Sequence, residues 1–593
     1  MTYSKIISVL FIVVLFNHSL QAQTLGADND PPNVILIITD DQGYGDLGFT
    51  GNPHVKTPVL DNLARESIRL NDFYVSPVCA PTRSSLMTGR YSLRTGVRDT
   101  YNGGATMATE EITIAEMLKE AGYETGVFGK WHLGDNYPFR PGDQGFDESL
   151  IHLAGGMGQP GDFTTFFKGD SSYFDPTLWY NGNQKSFQGY CSDIFTREAI
   201  QFVEKQNREK PFFLYLSFNA PHTPLQVPEA YYQKYKDIDP SAGFQDNGMP
   251  FPEMSEKDKE DARKVYAMVS NIDDNVGKLM QKLEDLGIAD NTIVVFMTDN
   301  GPQQKRYVAG MRGRKGSVFR GGVRVPFFIK YPKGLKPNQD VNTTLAHIDV
   351  LPTLADLCSA KLPGDRIIDG MSFAGLLKGQ DQNEAAFEQR PLFFYWSRKL
   401  PELYDNVAIQ KGPYKLVGNT GYDAAPKDFE LFHLKNDPYE LNNIVANEPD
   451  KANELKNSMD QLVMELTASN HLKEDRRPII GTSYENPLVL NRNDAGGQRG
   501  IWTQEEVYGL WNVEILEGTY TIRFKFIEPL VKSGKMMLET GTRIIQKEYN
   551  QMPTDLIEME NVQLKDFKGS IVPLFMSGGR NIFPLWVAFE KVN

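Results

Sequence analysis

Cys79 is the residue of this chain best suited to covalent chemistry. It opens the run C-A-P-T-R-S-S-L-M-T-G-R, in which Pro81 and Arg83 follow at short fixed spacing, and the 593 residues contain only three cysteines. With Pro and Arg each at about 5% of residues, three cysteines would give one C-x-P-x-R by chance on the order of 1% of the time. A free cysteine ordinarily packs as a small hydrophobic residue, but this spacing favours a functional one.

The residues after Cys79 predict how the thiol is positioned. Residues 84–89 are typical of the opening turns of a helix that ends at a glycine, Gly89. We therefore expect the thiol just before a helix N-terminus. Backbone N–H groups without partners favour an anion at that place.

Two predicted apolar strands, residues 33–39 and 292–298, end in pairs of oxygen-bearing side chains. The four residues are Asp40, Asp41, Asp299 and Asn300. Each pair alone is typical of a turn, but the carboxyl edge of an open α/β sheet is also where such folds place sites. Oxygen-only ligands suit Ca²⁺ or Mg²⁺. The two matching strand endings therefore predict a site for a hard divalent cation.

Three further motifs carry basic side chains. They are G-K-W-H-L-G with Lys130 and His132, A-P-H-T-P with His222, and R-K-G-S with Lys315. A Lys-x-His pair on a loop is ordinarily solvated, but the chain has only eight histidines and two of them lie in these motifs. Their combination with Cys79 predicts one site for an anionic substrate.

In this order, the motifs resemble those of the type I sulfatases of the alkaline-phosphatase-like superfamily, particularly secreted bacterial polysaccharide sulfatases. The resemblance extends over residues 30–445. In that family a formylglycine-generating maturation enzyme oxidises the signature cysteine, so the resemblance implies formylglycine (3-oxoalanine) at Cys79. It also implies one divalent ion, usually calcium and less commonly magnesium, which contacts residue 79. The ligands of this ion would be Asp40, Asp41, Asp299 and Asn300.

The resemblance also implies a role for each basic residue. Arg83 and Lys130 would hold the formylglycine hydrate and the sulfate, and Lys315 would bind a sulfate oxygen. His222 would protonate the leaving alcohol, and His132 would assist the elimination of sulfate. These residue types suit the reaction, because a sulfate monoester spreads one negative charge over three oxygens and its cleavage needs cations, a nucleophile and a proton for the alcohol.

Four other residues near these motifs invite interpretation. Arg314 and Arg320 lie where sulfatases often have smaller or uncharged residues, and we expect that they could mark a second anionic group on the substrate. His347 and Asp349 also match the family. We interpret them as structural, because their segment starts a helix.

Strand and helix patterns alternate through most of the chain. Further apolar strands are predicted at residues 124–128, 212–218 and 325–331, and amphipathic helical patterns lie between them. This alternation predicts an α/β domain with a central, mostly parallel sheet flanked by helices. The resemblance implies the alkaline-phosphatase-like form of that fold.

The chain is long enough for more than one domain. We predict a signal peptide at residues 1–22, a catalytic domain at 23–475 and a C-terminal all-β domain, a small sandwich, at 476–593. The last assignment rests on short alternating segments such as residues 520–526, Y-T-I-R-F-K-F.

Residues 153–190 depart from the alternation. They are rich in glycine and aromatic residues and show neither helical nor strand periodicity. Long loops of this kind are commonly functional. The aromatic side chains suit either a sugar-binding surface or simple cover over the domain.

The net charge and the N-terminal segment limit which binding partners and which cellular location are expected. A formal net charge of −14 and a pI near 5.2 argue against nucleic acid, so a sulfated oligo- or polysaccharide would need a local cationic site. Lys5 followed by an apolar run indicates export to the periplasm or medium, and that run is too short to span a bilayer, which argues against a membrane anchor.

The remaining cysteines, Cys191 and Cys358, have two interpretations. In an oxidising compartment they could pair, since conversion of Cys79 leaves them as an even set. Two free buried thiols are the preferred interpretation.

Two rival functions remain open at this stage. One is a phosphomonoester or phosphonate hydrolase of the same superfamily, which a second set of metal ligands would favour. The other is a catalytically silent, sulfatase-like binding protein in which Cys79 stays unconverted. Neither the sugar nor the sulfate position follows from the sequence.

Overall fold

The computed structural model describes residues 30–592, apart from residues 207–208, 245–247, 381–383 and 399–400. The predicted signal peptide lies outside the described residues. Within the described part of the chain, no helix combines the length and hydropathy that crossing a bilayer requires.

Most strands before residue 350 belong to one sheet. Their bounds are β1 (Asn33–Thr39), β2 (Ile68–Leu70), β3 (Phe73–Tyr74), β4 (Glu124–Lys130), β5 (Glu148–His152), β6 (Thr177–Tyr180), β7 (Asn183–Ser186), β8 (Phe212–Ser217), β9 (Thr292–Thr298), β10 (Phe327–Lys330), β11 (Gln339–Val341) and β12 (Leu345–Ala346). Ten form a sheet in the order β11-β2-β10-β9-β1-β8-β4-β5-β6-β7, and β12 pairs with β3. The central strands β9, β1, β8, β4 and β5 are parallel, whereas β10, β6 and β7 pair antiparallel. The predicted central sheet is confirmed.

Helices cover both faces of this sheet. Their bounds are α1 (Pro58–Glu66), α2 (Cys79–Thr88), α3 (Ile114–Glu120), α4 (Phe163–Phe166), α5 (Cys191–Lys205), α6 (Glu229–Tyr232), α7 (Glu256–Asp285), α8 (Arg320–Val323), α9 (Val350–Leu357), α10 (Ala374–Leu377), α11 (Glu384–Gln389), α12 (Pro449–Thr467) and α13 (Asn470–Lys473). Ile35 and Ile37 of β1 pack with α1, α5 and α7, whereas Val34, Leu36 and Ile38 pack with α2, α3 and α9. Burial on two faces explains the continuous apolar run of β1.

A second, antiparallel sheet follows the main one. Its strands are β13 (Leu392–Tyr395), β14 (Val407–Lys411), β15 (Tyr414–Gly418) and β16 (Glu430–His433), in that order across the sheet. Leu455, Met459 and Val463, which lie on α12 at helical spacing, pack against its apolar face. Helix α12 and this sheet therefore share one core.

The C-terminal part of the chain is rich in β-strands, as predicted. Its strands are β17 (Ile479–Ile480), β18 (Leu488–Asn491), β19 (Gly496–Gly497), β20 (Gly509–Ile515), β21 (Gly518–Leu530), β22 (Gly534–Thr540), β23 (Arg543–Tyr549), β24 (Thr554–Leu564), β25 (Phe567–Ser577), β26 (Arg580–Ile582) and β27 (Trp586–Lys591). One sheet contains β17-β20-β25-β22-β23 and the other β18-β27-β21-β24, and both contribute to one core. Tyr520, Ile522, Phe524 and Phe526 alternate into that core with no exposed surface. The exact domain boundary at 475/476 stays a prediction.

Two local expectations were wrong. Helix α2 begins at Cys79 itself and not at Ser84, because Pro81 lies in the first turn, where backbone N–H groups need no helical partner. The glycine end is confirmed, since Gly89 adopts the left-handed conformation with φ of 67°. Within residues 153–190, β6 and β7 form a hairpin at the sheet edge, and the polar, exposed β7 explains why no alternation was visible.

The C-terminal β region docks on the loop that follows β4. Asn136 donates to the Val489 carbonyl at 3.0 Å, and the Asn491 amide donates to Asp135 at 2.7 Å. Asp135 also accepts from the backbone N–H of Ala154 at 3.0 Å. The docking contacts therefore fix the same loop that carries His132.

Gly129 in β4 has a conformation and a packing that only glycine permits. Its φ is 120°, and a Cβ there would lie 1.7 Å from the backbone oxygen of Ser217. We expect Gly129→Ala to lower the free energy of unfolding by about 3 kcal/mol or more, since strain and overpacking add. Denaturant unfolding measures the change. Gly142→Ala is the control, because its Cβ would meet no atom within 4 Å. Equal stability of the two variants would contradict the strand geometry.

Candidate active site

The ends of β1 and β9 bring four of the predicted metal ligands together. These adjacent strands pair Thr39 with Thr298, so the following residues leave the sheet side by side. Asp41 donates its backbone N–H to Asp299 at 3.1 Å, and the Asn300 amide donates to Asp41 at 2.8 Å. Asp40, Asp41, Asp299 and Asn300 have no exposed surface.

Cys79 lies at the same edge, at the first residue of α2. Its Sγ and carboxylate oxygens of Asp40 and Asp299 lie within 4.8 Å of one another. Only 2% of the residue is exposed. Burial raises the pKa of the Cys79 thiol, although the charge of Lys130 opposes the change. The unmodified side chain is therefore a neutral thiol at pH 7.

Arg83 and Lys130 neutralise two of the buried carboxylates. Arg83 donates to Asp299 at 2.8 Å and to the Ser217 hydroxyl at 2.5 Å, and the Lys130 Nζ lies 2.6 Å from Asp40. The side chains of both ion pairs are fully buried. Removing one partner of such a pair typically costs about 3–5 kcal/mol. These residues hold the floor of the site in addition to any role in the reaction.

Lys315 neutralises the third carboxylate from the opposite side. Its Nζ lies 2.7 Å from Asp41, and 16% of its side chain is exposed. Burial alone would raise the pKa of Asp41, but the charges of Lys315 and His222, together with hydrogen bonds from Lys315 and Asn300, hold this pKa well below its usual range. Asp41 is therefore ionised, and Lys315 presents its charge to the cavity.

The two histidines face the site with different ring nitrogens. His132 Nε2 lies 2.7 Å from the Thr100 carbonyl oxygen and must donate to it, which leaves the buried Nδ1 unpartnered. His222 Nδ1 donates to the Thr223 carbonyl at 2.6 Å, which leaves Nε2 facing Asp41 at 3.7 Å. Burial and a nearby lysine lower both pKa values, that of His222 to about 3. Both rings are neutral and each has one nitrogen free for proton transfer.

The buried oxygens fit a hard divalent cation. Asp40 Oδ1 and Asn300 Oδ1 are buried without a hydrogen-bond partner. Burial and the charge of Asp40 raise the pKa of Asp299 to about 7, which shows that these carboxylates are crowded. Buried polar atoms without partners are uncommon, and carboxylate and amide oxygens are the ligands of Ca²⁺ and Mg²⁺. Asp40, Asp41, Asp299 and Asn300 are therefore the residues that could hold the cation.

Arg306 and Asp46 position the loop that carries Asp41, and no sequence motif indicated either residue. Their fully buried side chains form an ion pair at 2.7 Å. Arg306 also donates to the Asp41 carbonyl at 2.8 Å, and Asp46 accepts from the Gly43 N–H at 2.7 Å. The pair joins positions 260 residues apart, so no local pattern could have revealed it.

A cavity of about 460 Å³ opens above these groups. Cys79, His132, His222 and Lys315 line it, whereas Arg83 and Lys130 lie beneath. Further lining residues that the motifs did not indicate are Tyr101, Trp396, Arg398, Arg499 and Trp502. The last two come from the C-terminal β region. None of the aromatic side chains of residues 163–180 is among the described lining residues.

Arg314 and Arg320 do not provide the expected second anion site. Arg320 is buried, pairs with Asp72 at 2.9 Å and donates to the Pro438 carbonyl at 2.9 Å, so it is structural. Arg314 lines a different cavity, together with Phe251. The cations that line the catalytic cavity instead come from residues 315, 398 and 499.

Other predicted residues have structural surroundings. His347 lies 3.1 Å from the Ser76 hydroxyl, and Asp349 accepts from the backbone N–H of Ala346 at 2.8 Å and pairs with Arg390. These contacts agree with a structural role. All three cysteines, including Cys191 and Cys358, are buried and free.

Family comparisons agree with these features. The sulfatase family model matches residues 32–360, and the model of the C-terminal part of N-sulphoglucosamine sulphohydrolase matches residues 314–469. N-acetylgalactosamine-6-sulfatase of Mus musculus is 30% identical over 65% of this chain and 71% of its own length. Arylsulfatase A of Homo sapiens is 32% identical over 65% and 74%. The chain spans 55% of another relative, Arylsulfatase J of Mus musculus, at 31% identity over 58% of this chain.

Solved structures share the fold. The structure of Ps i-CgsB in complex with k-i-k-neocarrahexaose is 29% identical, covers 75% of this chain and 94% of its own, and has a TM-score of 0.62. The phosphonate monoester hydrolase of Agrobacterium radiobacter is 20% identical over 74% of this chain and 96% of its own, with a TM-score of 0.54, which shows the fold alone. With the family matches and the assembled motifs, these likenesses identify the chain as a member of the sulfatase family of sulfuric ester hydrolases.

Proposed function

We propose that this protein is an exported sulfatase that hydrolyses sulfate monoesters of a sulfated carbohydrate. The observation that carries the proposal is Cys79, buried among three paired carboxylates and cations at the floor of a cavity. Relatives named for N-acetylgalactosamine 6-sulfate, and a related structure bound to neocarrahexaose, support a carbohydrate substrate. In this proposal residue 79 is formylglycine made by a maturation enzyme, and the divalent cation is calcium.

The aldehyde would give residue 79 a chemistry that serine lacks. When hydrated, it supplies one hydroxyl that forms a bond to sulfur as the alcohol leaves, and a second whose deprotonation releases sulfate as the carbonyl re-forms. Serine has only one hydroxyl, so a sulfated serine could not release sulfate by forming a carbonyl. In the unmodified chain, the Cβ atom of Cys79 is the carbon that would become the aldehyde.

The cations of the site each have a place in this scheme. Lys315 lines the cavity and can contact a sulfate oxygen directly. Arg83 and Lys130 act from below, because their donors are bonded to Asp299 and Asp40. A bound divalent cation would add positive charge where sulfate oxygens gather charge in the transition state.

Proton transfer divides between the two histidines according to their free nitrogens. His132 Nδ1 has no partner among the described residues and can accept a proton during elimination. His222 Nε2 faces the cavity side of Asp41 and can carry a proton to the alcohol. An anionic sulfate beside Lys315 would offset the charge that lowers the pKa of His222, and so favour its protonated form.

The phosphatase alternative has no support from the metal ligands. The two groups of possible ligands among the described residues share Asp40 and belong to one site. A two-metal phosphatase would need a second, separate set. The alternative of a catalytically inactive binding protein is tested by the mass of the peptide that contains Cys79. Conversion to the aldehyde lowers this mass by the difference between CH₂SH and CHO.

Cys79→Ser tests the nucleophile. We expect turnover of an aryl sulfate to fall by on the order of 10³-fold or more with the unfolding midpoint nearly unchanged, because the side chain keeps its size. Cys358→Ser is the control, since it removes a buried thiol outside the site. Parental turnover by a serine variant shown by mass to be unmodified would refute the aldehyde mechanism.

The cation site is tested by metal content. Asp299→Asn should lose the divalent ion and activity together, because it removes one negative ligand. Asn300→Ala is a second variant that leaves every buried ion pair intact and should also bind the ion more weakly. Elemental analysis after dialysis measures both. Asp340→Ala is the control, because it removes a carboxylate that pairs with Arg69 outside the site. Full calcium occupancy in both site variants would rule out this ligand set.

The roles of the two histidines can be distinguished by comparing substrates with different leaving groups. His222→Ala should slow hydrolysis of a sugar sulfate by ~10²- to 10⁴-fold but affect an aryl sulfate much less, because a phenol leaves without an acid. His132→Ala should slow sulfate release for both substrates. Steady-state rates on one aryl and one sugar sulfate make the comparison. Equal losses on both substrates in His222→Ala would remove it as the leaving-group acid.

A further inference from the structure

The C-terminal β region contributes side chains to the catalytic cavity. A short 3₁₀ turn, Arg499–Trp502, places Arg499 and Trp502 in the lining that also contains Cys79 and Lys315. The two family matches end at residues 360 and 469, so this turn lies outside both matched segments. The lining is therefore completed by a part of the chain that the catalytic motifs do not predict.

The turn is held rigidly from within the β region. Arg492 is fully buried, and its guanidinium donates to four backbone carbonyls: Ile501 at 3.2 Å, Gln504 at 2.8 Å, Phe583 at 2.7 Å and Pro584 at 3.1 Å. Two of these carbonyls belong to the turn or the residues just after it. Such anchoring is expected of a binding element, since it lowers the entropy lost on ligand binding.

Aromatic contacts connect the turn to the catalytic side of the cavity. The Trp502 ring meets Tyr101 edge to face at 5.3 Å. The Arg398 guanidinium lies over the rings of Tyr101 and Trp396, at 5.0 and 4.9 Å. Trp396 in turn donates to Asp99 at 3.2 Å. These residues form one continuous wall that is both aromatic and cationic.

The charge of the cavity is opposite to that of the protein. The chain has a formal net charge of −14, yet the described lining contains Lys315, Arg398 and Arg499 and no carboxylate side chain. Lys315 pairs with Asp41, and Arg398 lies 3.6 Å from Asp99. Within the described part of the chain, the exposed Arg499 side chain has neither a hydrogen-bond acceptor nor an ion-pair partner. Its planar fork of donors is thus available for a sulfate or carboxylate.

We propose that Arg499 and Trp502 form a subsite for a second anionic group on the saccharide, distinct from the sulfate that is cleaved. Arg499 binds the anion, and Trp502 packs against the sugar ring. The inference rests on the proposed function, because it assigns the substrate as a carbohydrate with at least two anionic groups. Sulfate and carboxylate share the chemistry that a guanidinium recognises.

Direct binding tests the subsite without turnover. The probes are galactose-based disaccharides that carry one sulfate, two sulfates, or one sulfate and one carboxylate, titrated by calorimetry into the full chain with Cys79→Ser. We expect the probes with two anions to bind about 10-fold more tightly than the probe with one sulfate, as one exposed charge-assisted contact provides. When Arg499→Gln is combined with Cys79→Ser, the affinity for the probes with two anions should exceed that for the probe with one sulfate by about 2-fold or less.

Matched variants separate charge from packing. Arg543→Gln removes an exposed arginine of β23, outside the cavity lining, and should leave the ratio unchanged. Trp502→Ala should weaken all three probes by a similar factor, since packing against a ring does not depend on the second anion. Which of the two-anion probes loses affinity in Arg499→Gln identifies the group as sulfate or carboxylate.

Two results would overturn the subsite. One is an equal affinity of the parental protein for probes with one and two anions, or no binding of either at millimolar concentration. The other is an unchanged ratio in Arg499→Gln. Hydrolysis of an aryl sulfate by the Cys79 protein is measured separately. If Arg499→Gln lowers the affinity ratio but the Cys79 protein shows no sulfatase activity, the proposed function is refuted and the anion subsite is supported.

Discussion

The burial of three carboxylates at one edge of the sheet constrains the rest of this structure. Each has a cation within 3 Å: Lys130 for Asp40, Lys315 for Asp41 and Arg83 for Asp299. The paired residues lie on three loops, at the end of strand β4 and on helix α2. An unpaired charge would be prohibitively costly at these depths, so the elements that carry the cations must close on β1 and β9 together. The groups assigned to the reaction are therefore also the groups that hold the site in shape.

The same pairing leaves the floor close to neutral before any metal or substrate binds. A divalent cation would make the floor net positive, and a sulfate ester, with its single negative charge, would reduce that excess without cancelling it. The site can thus attract an anion although the protein as a whole is strongly acidic. Arg306, through its bond to the Asp41 carbonyl, keeps the ligand loop in place from behind.

Parts of the fold could be predicted because burial leaves a local pattern. β1 and β9 have the predicted bounds, since a strand covered on both faces is a continuous apolar run. The start of α2 was missed because Pro81 suggests a break, although proline is tolerated in a first helical turn. The β6–β7 hairpin was missed because its outer strand is polar and exposed.

The candidate site likewise contains residues that the sequence indicated and residues that it did not. Motif spacing indicated Cys79, Lys130, His132, His222 and Lys315, and the structure brings them to one edge, while their individual roles stay proposals. Arg306, Trp396 and Arg499 were not indicated. Each reaches the site from a distant segment, and a single sequence has no periodicity that reports on such contacts.

The deep position of Cys79 sets an order of events in time. Cys79 is 2% exposed, and a hydrogen bond from the Gly316 N–H to the Pro77 carbonyl joins the segment of Lys315 to the residues just before Cys79. Roughly 240 residues separate Cys79 from Lys315. At about 5–20 residues per second, synthesis of that stretch takes roughly 10–50 s. In the proposed function, the maturation enzyme would therefore act on the nascent or translocating chain, before the segments around Cys79 and Lys315 pack together.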